Sequence, residues 1–434
     1  MEAVILADDL TGANDSGVQL ARRGLTTSVL FKMDAQSVRG QDAIVLNTDS
    51  RACTSQEAYS RVVEAAQFLR LLPAEFIYKK IDSTLRGNIG AELDAMDDVF
   101  QPEFIIIAPA YPDNGRTTTE GIHYLYGQPV HETDIGADKK TPVTTSYIPE
   151  LLAQQTKKAV ALISITELRA GKCGVVKRLD ALLSEGVRYV VSDAECEADL
   201  YILVEGVRES GYRVVWAGSA GLAKCLPVGA VYLQPMAEPI LHKDSNSRQN
   251  LPVLVVVGSI TARSHVQLQA LLASKETVGI ELQSKRLVQK SEWREREIRR
   301  ACERGLDALH SGHHVVLHVP TNESVITDTI KVGLAHYHDI VEISNSIAGA
   351  IGEVVSNLLH TGDWAGVVMT GGDTATQICK QLGTERFELI DEVESGVPIG
   401  LLCGGLELHA VTKAGNFGTD AVLLNSVTML KELL

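Results

Sequence analysis

"FIYKKIDSTLRGNIGAEL" (Phe76 to Leu93) runs from β-prone apolar residues, through a cluster of charged and hydroxyl groups, into a helical pattern. The apolar start predicts a strand over "FIYKKID" (Phe76 to Asp82). Leu85, Ile89, Leu93, Met96 and Phe100 then recur at i, i+4, i+8, i+11 and i+15, a single stripe of a helix. On this reading the helix follows Asp82 at once, with Ser83 and Thr84 able to cap its first turn. Gly87 and Gly90 would each cost such a helix about 1 kcal/mol relative to Ala, so close approach of backbone or ligand is expected there.

The same rhythm continues in both directions. "AVILA" (Ala3 to Ala7), "AIVLN" (Ala43 to Asn47), "FIIIAPA" (Phe104 to Ala110), "RYVVSDA" (Arg188 to Ala194) and "RVVWAGS" (Arg213 to Ser219) read as strands between helical stretches. After Leu226 the periodicity lapses into a proline-bearing stretch with "HKDSNSRQN", an exposed linker. The pattern restarts at "VLVVVGS" (Val253 to Ser259), and "HVVLHVP", "AGVVMTGG" and "PIGLLCGG" supply further strands. Near-continuous apolar strands separated by helices imply an α/β class. The expectation is two domains, each a mainly parallel sheet flanked by helices: residues 1–226, a linker 227–250, and 251–434. A chain of 434 residues suits two cores better than one.

The formal charge of −15 argues against general nucleic-acid or anionic-membrane binding. It leaves room for a small anion in a locally basic cleft. The seven cysteines are widely spaced without a CxxC, which fits a reducing cytoplasm better than a disulfide framework. "MEAVILADDL" lacks a basic leader, so no signal peptide is expected, and no apolar run reaches the roughly 18 residues of a membrane span. There is no HExxH, no zinc-type Cys/His spacing and no GxSxG. Neighbouring His313 and His314 on a strand would face opposite ways, a poor start for shared metal ligation.

In open α/β sheets, ligands bind beyond the carboxyl ends of the strands. Asp8 and Asp9 follow the first strand, and Thr48, Asp49, Ser50 and Arg51 the second. Lys79, Lys80, Asp82, Ser83 and Arg86 surround the end of the third, and Tyr111, Asp113, Asn114 and Arg116 follow the fourth. Arg and Lys can meet a carboxylate or phosphate, while Asp accepts from hydroxyls or takes a proton. Each Asp or Ser could equally be a plain helix cap, and one of the two lysines could face solvent. The convergence of four strand ends favours a pocket for a small, anionic, hydroxyl-rich molecule.

The second half lacks GxxxxGK[ST] and GxGxxG. It does hold "VVMTGGDTATQIC" (Val367 to Cys379), where a strand meets Gly371 and Gly372, with Asp373 and Thr374 able to cap a helix. Consecutive glycines can expose N–H groups as an anion nest. Ser259 with Thr261 ends the first strand of this half, and "KAGNFGTD" (Lys413 to Asp420) gives another Gly-rich turn. Three such turns could surround a nucleotide. Glycine also serves ordinary tight turns, so the pattern alone does not decide.

"ILADDLTGANDSGVQLARRG", "NTDSR", "KKIDSTLRGNIGAEL", "APAYPDNGRTTTEGIHYLYGQPVHET", "AGSAGLA", "TGGDTA" and "VTKAGNFG" occur in this order. Together they resemble the four-carbon acid sugar kinase family, formerly a domain of unknown function, over about residues 1–430. The resemblance implies an N-terminal substrate domain, a C-terminal nucleotide domain and an active site in the cleft between them. It implies ATP-dependent phosphorylation of the terminal hydroxyl of D-threonate, D-erythronate or a 3-oxo-tetronate. Carried onto matching positions, it places Asp9, Arg51, Lys80, Ile81, Asp82 and Ser83 at the substrate, and Ser259, Thr370, Gly371, Gly372, Asp373 and Gly415 at ATP. Arg86 joins the substrate group on chemical grounds. The loop from Gly115 to Val143 is most similar to the D-threonate kinase branch. Asp82 is the first choice for the base and Asp9 the second. Mg²⁺ would be held by nucleotide phosphates and water, with no protein ligand set. The alternatives are the same reaction on D-erythronate, 3-oxo-tetronate or 4-hydroxy-threonine, a sugar-acid sensor without turnover, and a nucleotide-linked dehydrogenase. A homodimer is compatible with the sequence, which does not read out oligomeric state.

Overall fold

A computed structural model describes residues 1–138, 140–228 and 251–433. The expected linker falls, beyond Val228, outside the described residues. The chain divides into two compact units, Met1–Ala237 and Glu238–Leu434.

The first unit contains β1 (Ala3–Ala7), β2 (Thr27–Leu30), β3 (Ala43–Asn47), β4 (Phe76–Lys80) and β5 (Phe104–Ala108). A small antiparallel set comes next, β6 (Arg116–Thr119), β7 (Ile122–Leu125) and β8 (Gln128–Pro129). Then come β9 (Val160–Ile163), β10 (Tyr189–Ser192) and β11 (Val214–Gly218). The main sheet runs β2-β3-β1-β4-β11-β5-β10-β9, with every pairing parallel. All five residues of β1 and of β5 are buried, as a sheet covered on both faces requires. The helices α1 (Leu10–Ala21), α2 (Ser55–Arg70) and α3 (Ile89–Phe100) help cover it. One core joins Val62, Ala66 and Leu69 of α2 with Leu93 and Met96 of α3 against Val4, Leu6, Ile44 and Leu46.

From β1 the chain goes to one side for β2 and β3, then crosses to the other side for β4. The ends of β3, β1 and β4 therefore flank a switch in direction, where a parallel sheet opens a crevice.

The second unit contains β12 (Val253–Val257), β13 (Thr277–Glu281), β14 (His314–His318), β15 (Gly366–Thr370), β16 (Thr384–Glu394), β17 (Val397–Gly404) and β18 (Leu408–Lys413). Its order is β13-β14-β12-β15-β18-β17-β16. The pairings from β13 to β18 are parallel, and β17 and β16 continue antiparallel. Val255, Val368 and Val411 pack with Leu423, Val427 and Leu430 in its core. The order β13-β14-β12-β15 repeats the order β2-β3-β1-β4, so β12 occupies the same kind of switch as β1.

Among the described residues, no helix is long and apolar enough to cross a membrane, and no group of three His, Cys, Asp or Glu is arranged to hold a metal. His314 instead accepts the Val253 N–H on Nδ1 at 2.9 Å. All seven cysteines are free thiols.

Candidate active site

The loop after β1 sets the first wall. Asp9 is the N-cap of α1 and accepts the Gly12 N–H at 2.8 Å and the Thr11 hydroxyl at 2.6 Å. Glycine at position 12 is a matter of space. A Cβ there would lie 2.6 Å from Asp9 Oδ1 and 2.9 Å from Lys80 Nζ.

Capping does not exhaust Asp9, because Arg51 reaches it from the loop after β3. The guanidinium bonds Asp8 through Nε (2.6 Å) and Nη2 (2.9 Å). It bonds Asp9 through Nη1 (2.8 Å) and Nη2 (2.6 Å), and Nη2 lies 3.6 Å from Asp82 Oδ1. One planar fork thus ties together three carboxylates from two strand ends. Burial works against the Asp8 anion, but the charge and hydrogen bonds of Arg51, aided by Lys79 and Lys80, hold its pKa below the usual value. The Arg51 loop is itself pinned. The Asn88 carboxamide donates to the carbonyls of Ser50 (3.1 Å), Arg51 (3.4 Å) and Cys53 (2.9 Å).

The stretch after β4 departs from the sequence expectation. The helix starts at Ile89, not directly after Asp82, and Ser83 and Thr84 lie in a turn. The Asp82 carboxylate accepts from the Thr84 hydroxyl and N–H and from the Arg86 N–H, which closes a local loop in competition with helix. Leu85 takes φ 66° and Gly87 φ 98°, both left-handed, so the helix cannot begin earlier. The apolar stripe survives because Leu85 and Ile89 still enter the core. At both glycines the close neighbour is protein. A Cβ on Gly87 would meet Arg51 Cγ at 3.1 Å, and one on Gly90 would meet Gln155 Cβ at 2.6 Å.

Asp82 is gripped by Arg86 at 2.8 Å (Nε to Oδ2) and 3.1 Å (Nη2 to Oδ1). Burial opposes its ionisation, yet Arg86, Arg51 and the Thr84 hydroxyl outweigh burial and hold it well below the carboxylate range. Such a group is a poor proton acceptor near neutrality and a good fixed acceptor for a hydroxyl. Arg86 also faces Asp138, with Nη1 3.6 Å from Oδ2.

The two lysines part ways. Lys79 has no exposed surface and pairs with Glu92 of α3 at 2.8 Å, while Ser50 donates to the other Glu92 oxygen at 2.5 Å. It does not face solvent; it ties α3 to the sheet and, through Glu92 and its pull on Asp8, to the loops after β1 and β3. Burial, with Asp8 pushing the same way, raises the Glu92 pKa against the pull of Lys79. Lys80 turns to the other face, beside Gly12. The residue is 3% exposed, and its ammonium donates to the Ile81 carbonyl at 2.8 Å. Among the described residues no carboxylate forms an ion pair with it. Ile81 itself sends its side chain into the core, and only its backbone serves the site.

His123 of β7 lies within a quoted motif, yet the sequence assigns it no role. It is fully buried, with Nε2 2.8 Å from the Ser83 carbonyl and Nδ1 2.9 Å from the Thr118 hydroxyl. Burial is the main cause that brings its pKa down to about 4. The ring is therefore neutral, and because a carbonyl only accepts, Nε2 carries the hydrogen. The ring fixes the carbonyl of Ser83, whose hydroxyl has no partner among the described residues. Among the groups after β5, Asp113 pairs with Lys224 at 2.7 Å and Arg116 lies over the Tyr126 ring.

In the second unit, β12, β15 and β18 are neighbours, so the turns at Ser259, Gly371 and Gly415 come together. The Gly258 N–H donates to Thr370 O (3.1 Å) and the Gly371 N–H to Lys413 O (2.9 Å). Gly371 has φ 102° and is the N-cap of the helix Gly372–Gln381. Asp373 and Thr374 thus lie inside its first turn and are not the cap. Ala375 makes the first helical bond back to Gly371, so the N–H groups ahead of it belong to the helix start that favours anions. The Thr370 hydroxyl is buried without a hydrogen-bond partner among the described residues. The Thr261 and Ser264 hydroxyls donate to Gly415 O at 3.2 and 2.9 Å, and a Cβ on Gly415 would sit 2.4 Å from Ser259 Oγ. The groups brought together at these three turns are mainly backbone and hydroxyls, and the Arg263–Asp420 pair at 2.8 Å holds the outer part of the last turn.

Residues 3–226 match the family model of a sugar-binding N-terminal domain, and residues 254–423 that of a nucleotide-binding C-terminal domain. The chain is 33% identical to a D-threonate kinase of Salmonella typhimurium, covering 100% of this chain and 99% of that one. It is 34% identical to a D-erythronate kinase of Heliobacterium modesticaldum, covering 98% and 96%. It is 27% identical to a 3-oxo-tetronate kinase of Pseudomonas savastanoi, covering 95% and 94%. A solved protein of Salmonella typhimurium LT2 shares the fold, with a TM-score of 0.80 at 24% identity over 98% of both chains.

Proposed function

The chain belongs to the four-carbon acid sugar kinase family, and on that premise we propose that it phosphorylates the terminal hydroxyl of D-threonate with ATP. The sugar-acid kinase class follows from relatives matched along the whole chain. D-Threonate is preferred over D-erythronate because of the loop from Gly115 to Val143. The nearly equal identities to the two kinases keep D-erythronate as the second reading.

The observation that carries the substrate assignment is Lys80. A buried ammonium with one backbone acceptor, beside a fully engaged Arg51, favours an incoming carboxylate. Ser83 Oγ and the Ile81–Ser83 backbone lie next to it in sequence and supply further polar contacts. Arg51 supports the site by fixing Asp8, Asp9 and Asp82 against mutual repulsion, and a bound carboxylate would have to share it. Asp82, held ionised, suits the role of orienting the terminal hydroxyl. Asp9, with the more exposed side chain (19% against 9%), is the better candidate to receive its proton. Phosphoryl transfer asks mainly for positioning and charge neutralisation, so a strong base is not required.

For ATP, Ser259, the turn Thr370 to Asp373 and Gly415 offer N–H groups, hydroxyls and a helix start to phosphates. Mg²⁺ would be carried on those phosphates and water, as is usual for a nucleotide-bound Mg²⁺.

The test is ADP release, coupled to NADH oxidation, across D-threonate, D-erythronate, L-threonate, 3-oxo-tetronates and 4-hydroxy-threonine. The highest kcat/KM is expected for D-threonate. A higher value for another acid reassigns the substrate; no ADP with any acid leaves the binding-only sensor.

A further inference from the structure

Lys413 ends β18 and is 1% exposed. Its side chain folds over the turn that comes next. Nζ donates to the carbonyls of Ala414 (2.8 Å), Gly415 (3.1 Å) and Phe417 (3.2 Å). Three N–H bonds against three carbonyls use every donor of an ammonium. The Gly415 carbonyl also receives Thr261 and Ser264 from the other side. Two charged groups act on Lys413. Arg263, from the helix Ala262–Leu272, is bound to Gly418 O and Asp420, and Glu394 of β16 accepts the Thr419 N–H at 2.6 Å and hydroxyl at 2.8 Å.

A buried cation is costly, and an apolar side chain of this length would fill the same space without that cost. We propose that Lys413 is a positioning residue of the nucleotide site, its ammonium holding the turn Ala414 to Phe417 in the shape that sets Gly415 against Ser259 and Thr261. The inference rests on reading those residues as the nucleotide site. A neutral amine has only two N–H bonds, and its lone pair would face a carbonyl oxygen. Loss of the proton therefore loosens the cage. Burial, helped by Arg263 and opposed by Glu394, brings this ionisation down to about 7. Nucleotide affinity should accordingly fall as pH rises above neutrality.

The experiment is calorimetric titration of the full chain with ADP and excess Mg²⁺ from about pH 7 to about pH 9, where the ADP phosphates are already ionised, on wild type and Lys413→Met. Wild-type affinity should weaken about tenfold over that range, as loss of a charge-assisted hydrogen bond implies. Lys413→Met should bind about tenfold more weakly at the lower pH and show no further fall, with the KM for sugar acid unchanged. A variant with wild-type affinity and the same pH trend overturns the role of Lys413 and leaves the nucleotide reading standing. No ADP binding by wild type at any pH removes both. If the variant does not fold, the wild-type titration decides: an affinity that holds constant or rises overturns the proposal.

Discussion

β1 and β12 occupy equivalent places, each the first strand of its unit among the described residues and each at the switch in a β-order of the same form. The turns at their carboxyl ends differ in chemistry. β1 ends in Asp8 and Asp9, drawn together with Asp82 by Arg51. β12 ends in Gly258 and Ser259, beside the glycine turns after β15 and β18. Topology fixes where a crevice can form, and the residues at the strand ends decide what it can hold. The first site consists of buried charges that must be mutually compensated. The second consists of backbone turns that a methyl group would spoil, braced by one buried ammonium, Lys413, whose hydrogen bonds go to carbonyls and not to a carboxylate.

The sharpest way to break this contrast is to remove the compensating charge. Arg51→Met leaves three carboxylates facing one another, and activity should fall at least about a thousandfold. Folding stability should drop by about 3–5 kcal/mol, the cost of breaking a buried pair, read by urea denaturation. Arg51→Lys should not restore activity, because an ammonium cannot hold two carboxylates bidentately.

Asp82→Asn comes next. It should lower kcat by about a hundredfold or more while the KM for ATP changes less than about threefold. A near-normal kcat would remove Asp82 from the chemistry. The carboxylates also predict a pH profile. Asp8 and Asp82 have folded pKa values below the usual 3.8, so their stabilisation is present above that value and is lost only as pH falls through the lower folded values. Neither should therefore produce an acid limb in kcat near pH 5; a limb there would point to another group.

At the glycine turns of the second site the expected effects are smaller and steric. Gly415→Ala places a Cβ against Ser259 Oγ, and an overpacking cost of about 1–3 kcal/mol should appear as a roughly tenfold rise in the KM for ATP. The KM for sugar acid should stay unchanged; a rise in both would mean that the two sites are not separable.

The smallest effect concerns His123. Its pKa is about 4 in the fold against 6.5 when unperturbed, so the unfolded chain binds more protons between those values. Stability should therefore decline as pH falls from 6.5 towards 4, and His123→Gln should flatten that part of the denaturation profile. An unchanged slope in the variant would assign the decline to other groups.

Much of this was legible in the chain. β1 and β3 coincide with the apolar runs read as strands, because a strand buried on both faces needs an unbroken apolar run. β2 (TSVL) and β13 (TVGIE) carry no such signal because polar residues or glycine interrupt them, and β9 (VALI), though apolar, is only four residues long. The start of α3 was misplaced because the apolar stripe registers which side chains are buried and is blind to an aspartate closing its own turn. Asp9, Arg51, Lys80, Asp82, Ser83 and Arg86 could be gathered from the sequence, since each lies at or just beyond a strand end. Asn88, His123 and Lys413 have no role legible in the sequence, because each acts on backbone carbonyls, which carry no residue signature.

The sequence by itself determined the α/β class, the family and the set of polar groups at the strand ends, because apolar periodicity and motif order are local properties of the chain. Only the tertiary structure decided how those groups are partnered. Lys79 and Lys80 are adjacent in sequence, yet one is paired with Glu92 inside the core and the other lies beside Gly12 with no carboxylate ion pair among the described residues. Alternation along a strand sends them to opposite faces. Which face holds a carboxylate depends on a helix packed there, and that is settled only when the chain folds.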